Sequence, residues 1–156
     1  MSKMVKLTLG YLGEKYNGWQ IQKGQAHTKT IQGELQRAIR TLTGEEVQMT
    51  AAGRTDAGVH AFGQVAAFLT QSTVPANRFP DALNCILPDD IIIYRGELAA
   101  KGFHATKDAV GKWYRYIYYL GEQPHVFFNK VAYKVHGLLD IEAMCQAAPL
   151  LEGEHN

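Results

Sequence analysis

The chain has 156 residues, 46% hydrophobic and 20% charged, with a formal net charge of +1, which places it among globular domains and excludes a disordered or low-complexity polypeptide. No apolar run approaches the ~18 residues of a membrane span, and the opening MSKMVKLTLG lacks the apolar core of a secretion signal. A cytoplasmic protein with no membrane association is therefore expected, with Cys85 and Cys145 read as two buried thiols in a reducing compartment.

Charge is distributed in blocks. Residues 1–40 hold seven Lys and Arg against two acids, and residues 99–136 hold six against two. The intervening and final segments are acidic. Two basic segments can fold into one face suited to a phosphate backbone, although ordinary solvated surface gives the same pattern.

Val5, Leu7, Leu9 and Tyr11 alternate as in a half-buried strand, followed by a loop broken by Gly13, Gly18 and Gly24. Ile31, Leu35, Ala38, Ile39 and Leu42 recur at helical spacing, with Thr30 as N-cap and Gly44 as stop. Val47, Met49 and Ala51 alternate again, and a further strand is expected from Gln64 to Leu69. A short helix around Arg78 to Ile86 has Pro80 near its start and Pro88 beyond its end, and Ile91 to Leu98 reads as a strand. The order predicts an α+β fold: a ferredoxin-like βαββαβ unit over 1–98 with a mainly antiparallel sheet. Beyond it, an aromatic strand from Lys112 to Leu120, a short strand near Val131 to Val135 and a helix capped by Asp140 extend the fold.

The residues most suited to chemistry lie in GRTDAGVHA, Gly53 to Ala61. Gly53 and Gly58 permit a tight turn. Arg54 and Asp56 lie two apart, so in an extended segment both side chains point one way, and an arginine beside a carboxylate keeps it ionised and oriented as a nucleophile needs. On spacing alone, the same aspartate reads as a turn residue bonded to its own backbone. Trp113, Tyr114, Tyr116, Tyr118 and Tyr119 alternate with Lys112 and Arg115, which suits base stacking on a sheet, but on the residues alone Tyr116 and Tyr118 read as core. Tyr16 and Trp19 carry the same ambiguity. His60, His104, His125 and His136 show no metal-ligand spacing, so no metal is expected, and His60 either contacts RNA or braces the turn.

GRTDAGVHA followed by Gly63, Gln64 and Val65 closely resembles the signature of the TruA-type tRNA pseudouridine synthases. Other segments agree in order: YLGEKYNGWQ, ALNCILPDDI, Phe103-His104-Ala105, and Lys112-Trp113-Tyr114-Arg115-Tyr116. The resemblance implies isomerisation of uridine to pseudouridine in the anticodon arm of tRNA, with neither cofactor nor metal. It makes Asp56 the nucleophile, Arg54 the residue that pairs with it and helps displace the nucleotide, and Tyr114 the ring that stacks on the uracil. Lys112, Arg115, His60, Thr55 and Lys107 are implied as RNA contacts. Leu12 stands where the family has an aspartate, and Thr106 where it has an arginine; Lys107 offers charge but no planar fork.

Chains of that family continue past EGEHN into a second α/β half. The 156 residues therefore read as the N-terminal, catalytic-aspartate part, with 99–156 as the start of the family's second part and the C-terminal half absent. An exposed sheet edge and apolar face, and hence a homodimer, are expected from that. The alternatives are a non-catalytic RNA-binding module or a truncated remnant.

Overall fold

The computed structural model describes residues 1–22, 28–123 and 125–155. Gly24, expected as a breaker, lies outside them. The chain forms two compact units, Met1–Lys112 and Trp113–Asn156.

The first unit contains β1 (Lys3–Tyr11), α1 (Ile31–Thr43), β2 (Met49–Ala51), β3 (Ala61–Thr70), α2 (Phe79–Asn84) and β4 (Ile91–Ala99). The strands lie in the order β2-β3-β1-β4, every neighbouring pair antiparallel, as the predicted βαββαβ unit requires. Alternation in β1 does its expected work: Val5, Leu7, Leu9 and Tyr11 are buried. Across β3 they meet Phe68, Ala66 and Gln64 in register, and Tyr11 meets Ala61 beyond an irregularity.

The helix α1 begins where the Thr30 hydroxyl accepts the Gly33 N–H at 3.2 Å, satisfying one of the first-turn donors. It ends at Gly44, whose φ of 75° and N–H bond to the Arg40 carbonyl close the last turn. Ile31, Leu35, Ala38 and Ile39 form its buried stripe and share one core with β1, β3 and β4 and with Phe79 and Leu83 of α2. Phe68 and Phe79 meet edge to face at 5.5 Å. Tyr16 and Trp19 resolve as core residues, 5% and 3% exposed.

Several boundaries differ from expectation. The strand begun at Gln64 runs from Ala61 to Thr70, because β1 pairs along nearly all of it. The helix expected over Arg78 to Ile86 is shorter, preceded by a 3₁₀ turn at Ala76–Arg78. Residues 100–112 pack with the sheet: the Ala105 N–H donates to Thr50 Oγ1 at 3.4 Å and the Thr106 hydroxyl to the Ala51 carbonyl at 2.6 Å. The thiols are not buried. Cys85 lies exposed at the end of α2, and Cys145 lies on a helix none of whose residues is buried.

The second unit holds β5 (Tyr118–Tyr119), β6 (Tyr133–Lys134) and α3 (Ile141–Ala147). Its two strands pair in parallel. The aromatic strand expected over Lys112 to Leu120 is therefore reduced to two residues; β propensity does not make a strand without a hydrogen-bonding neighbour. Tyr116 and Tyr118 are 81% and 47% exposed, which overturns the core reading for both. Tyr119, His125 and Phe128 form a local ring cluster, with His125 and Phe128 4.8 Å apart. The Asp140 carboxylate accepts the Ala143 N–H at 2.8 Å and starts α3, as its position predicts. Among the described residues no helix is long and apolar enough to cross a membrane.

Candidate active site

The segment 52–60 leaves β2 and returns as β3. It is pinned at its entrance, where the Ala52 N–H reaches the Val65 carbonyl at 2.8 Å and the Gln64 side-chain amide reaches the Gly53 carbonyl at 2.7 Å. At its tip the Val59 N–H donates to the Asp56 carbonyl at 3.2 Å, with Gly58 at φ 81° in the third position of the turn. That conformation favours glycine because a Cβ is strained there. Only the backbone of Asp56 closes this turn. Its carboxylate is exposed and makes no hydrogen bond or ion pair among the described residues, so the alternative of a side chain spent on its own backbone does not hold.

The turn rests on segment 11–19. Tyr11 Oη and Thr55 Oγ1 lie 2.8 Å apart, and the Trp19 N–H donates to the Thr55 carbonyl at 2.9 Å. The Gly58 N–H donates to the Tyr16 carbonyl at 3.2 Å, and the Gly13 N–H to His60 Nδ1 at 3.1 Å. The two backbones approach so closely that side chains are excluded. A Cβ on Gly13 would stand 2.0 Å from the Val59 carbonyl oxygen, and one on Gly18, at φ 83°, 2.5 Å from that of Thr55. Burial raises the Tyr11 hydroxyl above its ordinary pKa, against smaller lowering by hydrogen bonds with Thr55 and Gln64. It therefore stays protonated and serves as a neutral strut.

The residues singled out from sequence fall into three groups. Asp56 and Arg54 lie on the turn itself, and Lys112 lies against its entrance at Gly53. Arg54 is exposed, and no ion pair joins it to Asp56 among the described residues. The expected pairing assumed an extended strand, whereas this segment is an irregular loop. Lys112 lies over Gly53, its Cε and Nζ each 3.3 Å from where a Cβ would stand. Thr55 and His60 are braces, engaged by Tyr11 and by the Gly13 N–H. For His60 this requires the tautomer with the proton on Nε2. Lys107 is exposed beyond the FHA segment, its N–H bonded to the His104 carbonyl at 3.0 Å. Tyr114 and Arg115 belong to the second unit, where both are exposed.

Sequence reasoning passed over the undersurface: Tyr11 as the Thr55 partner, and Gly13 and Gly18 as points of backbone approach. The glycine spacing in YLGEKYNGW was the available signal. It read as loop-breaking, because the opposing backbone is distant in sequence. Among the described residues, no cluster of three His, Cys, Asp or Glu side chains could hold a metal ion.

The sequence profile of a family described as tRNA pseudouridine synthase matches residues 9–103. The tRNA pseudouridine synthase A of Moorella thermoacetica is 47% identical over 152 residues, covering 97% of this chain and 61% of that protein. Its namesake from Acetivibrio thermocellus is 46% identical over 152 residues with the same coverage. That of Bacillus subtilis is 42% identical over 154 residues, again 97% and 61%. The chain thus spans about three fifths of the length of the curated relatives it matches.

Proposed function

Since the chain belongs to the tRNA pseudouridine synthase family, we propose that it isomerises uridine to pseudouridine in the anticodon arm of tRNA, with Asp56 as nucleophile. The observation that carries this reading is the Asp56 turn itself: a backbone held from beneath at Thr55 and Gly58, and a carboxylate left exposed and unengaged. A carboxylate held in place without being consumed by internal hydrogen bonds can form a covalent bond to a substrate.

The reaction is a redox-neutral rearrangement and needs no cofactor. The N1–C1′ bond breaks, the uracil turns, a C5–C1′ bond forms, and the C5 proton passes to solvent while N1 gains one. Attack by Asp56 at C6 of the base or at C1′ of the ribose satisfies this balance equally. The target base must leave its stack. Arg54, exposed beside the turn, is suited to hold the phosphate or fill the vacated place, and the Lys112 ammonium over Gly53 supplies a second positive charge. In this reading Tyr114 stacks on the uracil, Arg115 and Lys107 contact the RNA backbone, and Thr55 and His60 shape the floor.

Tritium release from anticodon-arm tRNA labelled at uridine C5 tests the proposal. The chain is expected to release tritium and Asp56→Ala to fall to background while remaining folded, since the carboxylate makes no hydrogen bond or ion pair among the described residues. Equal release from both, or none from either, removes catalysis by Asp56.

One set of observations favours a second reading, an RNA-binding module without catalysis: Trp113, Tyr114 and Tyr116 are 100%, 77% and 81% exposed beside Lys112 and Arg115. Salt-dependent tRNA binding without release would support it. The proposal also places the protein in the cytoplasm, with its tRNA substrate, as a homodimer. Apolar side chains left open on the sheet strands, Leu69, Tyr94 and Leu98 at 54–67% exposed, support association. A monodisperse monomer in sedimentation would remove the dimer.

A further inference from the structure

Asp90 precedes the edge strand β4 and takes hold of the segment beneath the Asp56 turn at three points. Its carbonyl accepts the Leu12 N–H at 2.9 Å. Its Oδ1 accepts the Tyr16 hydroxyl at 2.5 Å, and Oδ2 lies 3.5 Å from Lys15 Nζ. The carboxylate side chain is only 15% exposed, whereas that of Lys15 is 71% exposed. An ion pair with one partner so solvated contributes little. The bond from buried Tyr16, 5% exposed, to this largely covered carboxylate is the stronger tie, because it competes with little water.

Tyr16 connects this anchor to the reactive turn. Its ring is held at the hydroxyl by Asp90, and its carbonyl accepts the Gly58 N–H at 3.2 Å. Gly13, three residues earlier, holds His60 and abuts the Val59 carbonyl. Any movement of 12–16 relative to the sheet is therefore passed to the turn by direct backbone contact.

We propose that Asp90 is a positioning residue for the reactive turn: through Tyr16 it sets the height at which Asp56 is presented, without touching the substrate. The proposal rests on the reading of Asp56 as nucleophile, but its mechanical half stands apart from catalysis. A residue that merely stabilised the fold would loosen the whole sheet when removed. A positioning residue loosens the turn and leaves the sheet as it was.

Amide hydrogen exchange and C5 tritium release on the full chain, with Tyr16→Phe, Asp90→Ala and Lys15→Ala, separate these cases. In Tyr16→Phe and Asp90→Ala, exchange at the Gly13, Trp19 and Gly58 amides is expected to quicken about tenfold or more, with Leu7 and Leu35 within about twofold of the parent. In the same two variants kcat should fall about tenfold or more while KM for tRNA stays within about threefold, and Lys15→Ala should change neither. Unchanged exchange at all three amides in both variants overturns the anchor. So does a uniform rise that includes Leu7 and Leu35, or quickened exchange with kcat intact. If the unsubstituted chain releases no tritium, the nucleophile reading falls, and the exchange pattern alone decides the anchor. Tyr16→Phe removes one hydroxyl and keeps the buried ring, so it remains informative if Asp90→Ala does not fold.

Discussion

Gly13 and Gly58 both serve the Asp56 turn, for different physical reasons. At Gly58 the requirement is φ 81°, with nothing within 4 Å of an added Cβ. At Gly13 the requirement is space, since a Cβ would stand 2.0 Å from a backbone oxygen that cannot rotate away. Gly58→Ala is expected to cost about 1–2 kcal/mol of stability as local strain. Gly13→Ala displaces one loop from the other and is expected to cost about 1–3 kcal/mol, with the greater loss of tritium release. Urea unfolding and the release assay check both; a Gly13→Ala variant equal to the parent in both would show that the two loops separate freely. At this scale the turn and its nucleophile candidate were legible, because glycine and aspartate signal turns locally. The Arg54–Asp56 pairing expected from spacing does not form an ion pair among the described residues. Period-two alternation applies to a strand, and these residues lie in a loop supported from below.

Helix α1 shows what an element owes to its ends and what it owes to its face. Thr30 contributes one capping bond, so Thr30→Ala is expected to cost about 1 kcal/mol. Leu35 is fully buried against the sheet, and Leu35→Ala is expected to cost about 2–5 kcal/mol through lost transfer energy and the cavity left behind. Denaturant unfolding of the two variants measures the difference; comparable losses would mean that the cap outweighs the packed face. Caps and stripe were readable because both are written within a dozen neighbouring residues. The aromatic run at 112–120 was misread as one long strand for the complementary reason. A strand is completed by its partner, and only Tyr118 and Tyr119 have one in this unit.

The two compact units differ in how much they bury. Among the described residues, the buried core cluster lies in the first, while α3 in the second has no buried residue. Local opening should therefore concentrate beyond Lys112. Limited trypsin digestion is expected to cut first after Lys112 or Arg115 and to leave a resistant fragment carrying β1 to β4; early cuts inside the sheet would contradict this. By itself, the sequence determined the βαββαβ order, the helix caps, and the site of the Gly-rich turn with its family. Each of these depends on residues a few positions apart. Only the tertiary structure decided that Tyr11 braces Thr55, that Gly13 and Gly18 are points of backbone contact, and that Asp90 grips Tyr16 from 74 positions away. Local periodicity carries no information about such pairs. They exist because β1 lies between β3 and β4 in the sheet, and that adjacency is set by packing the whole core at once.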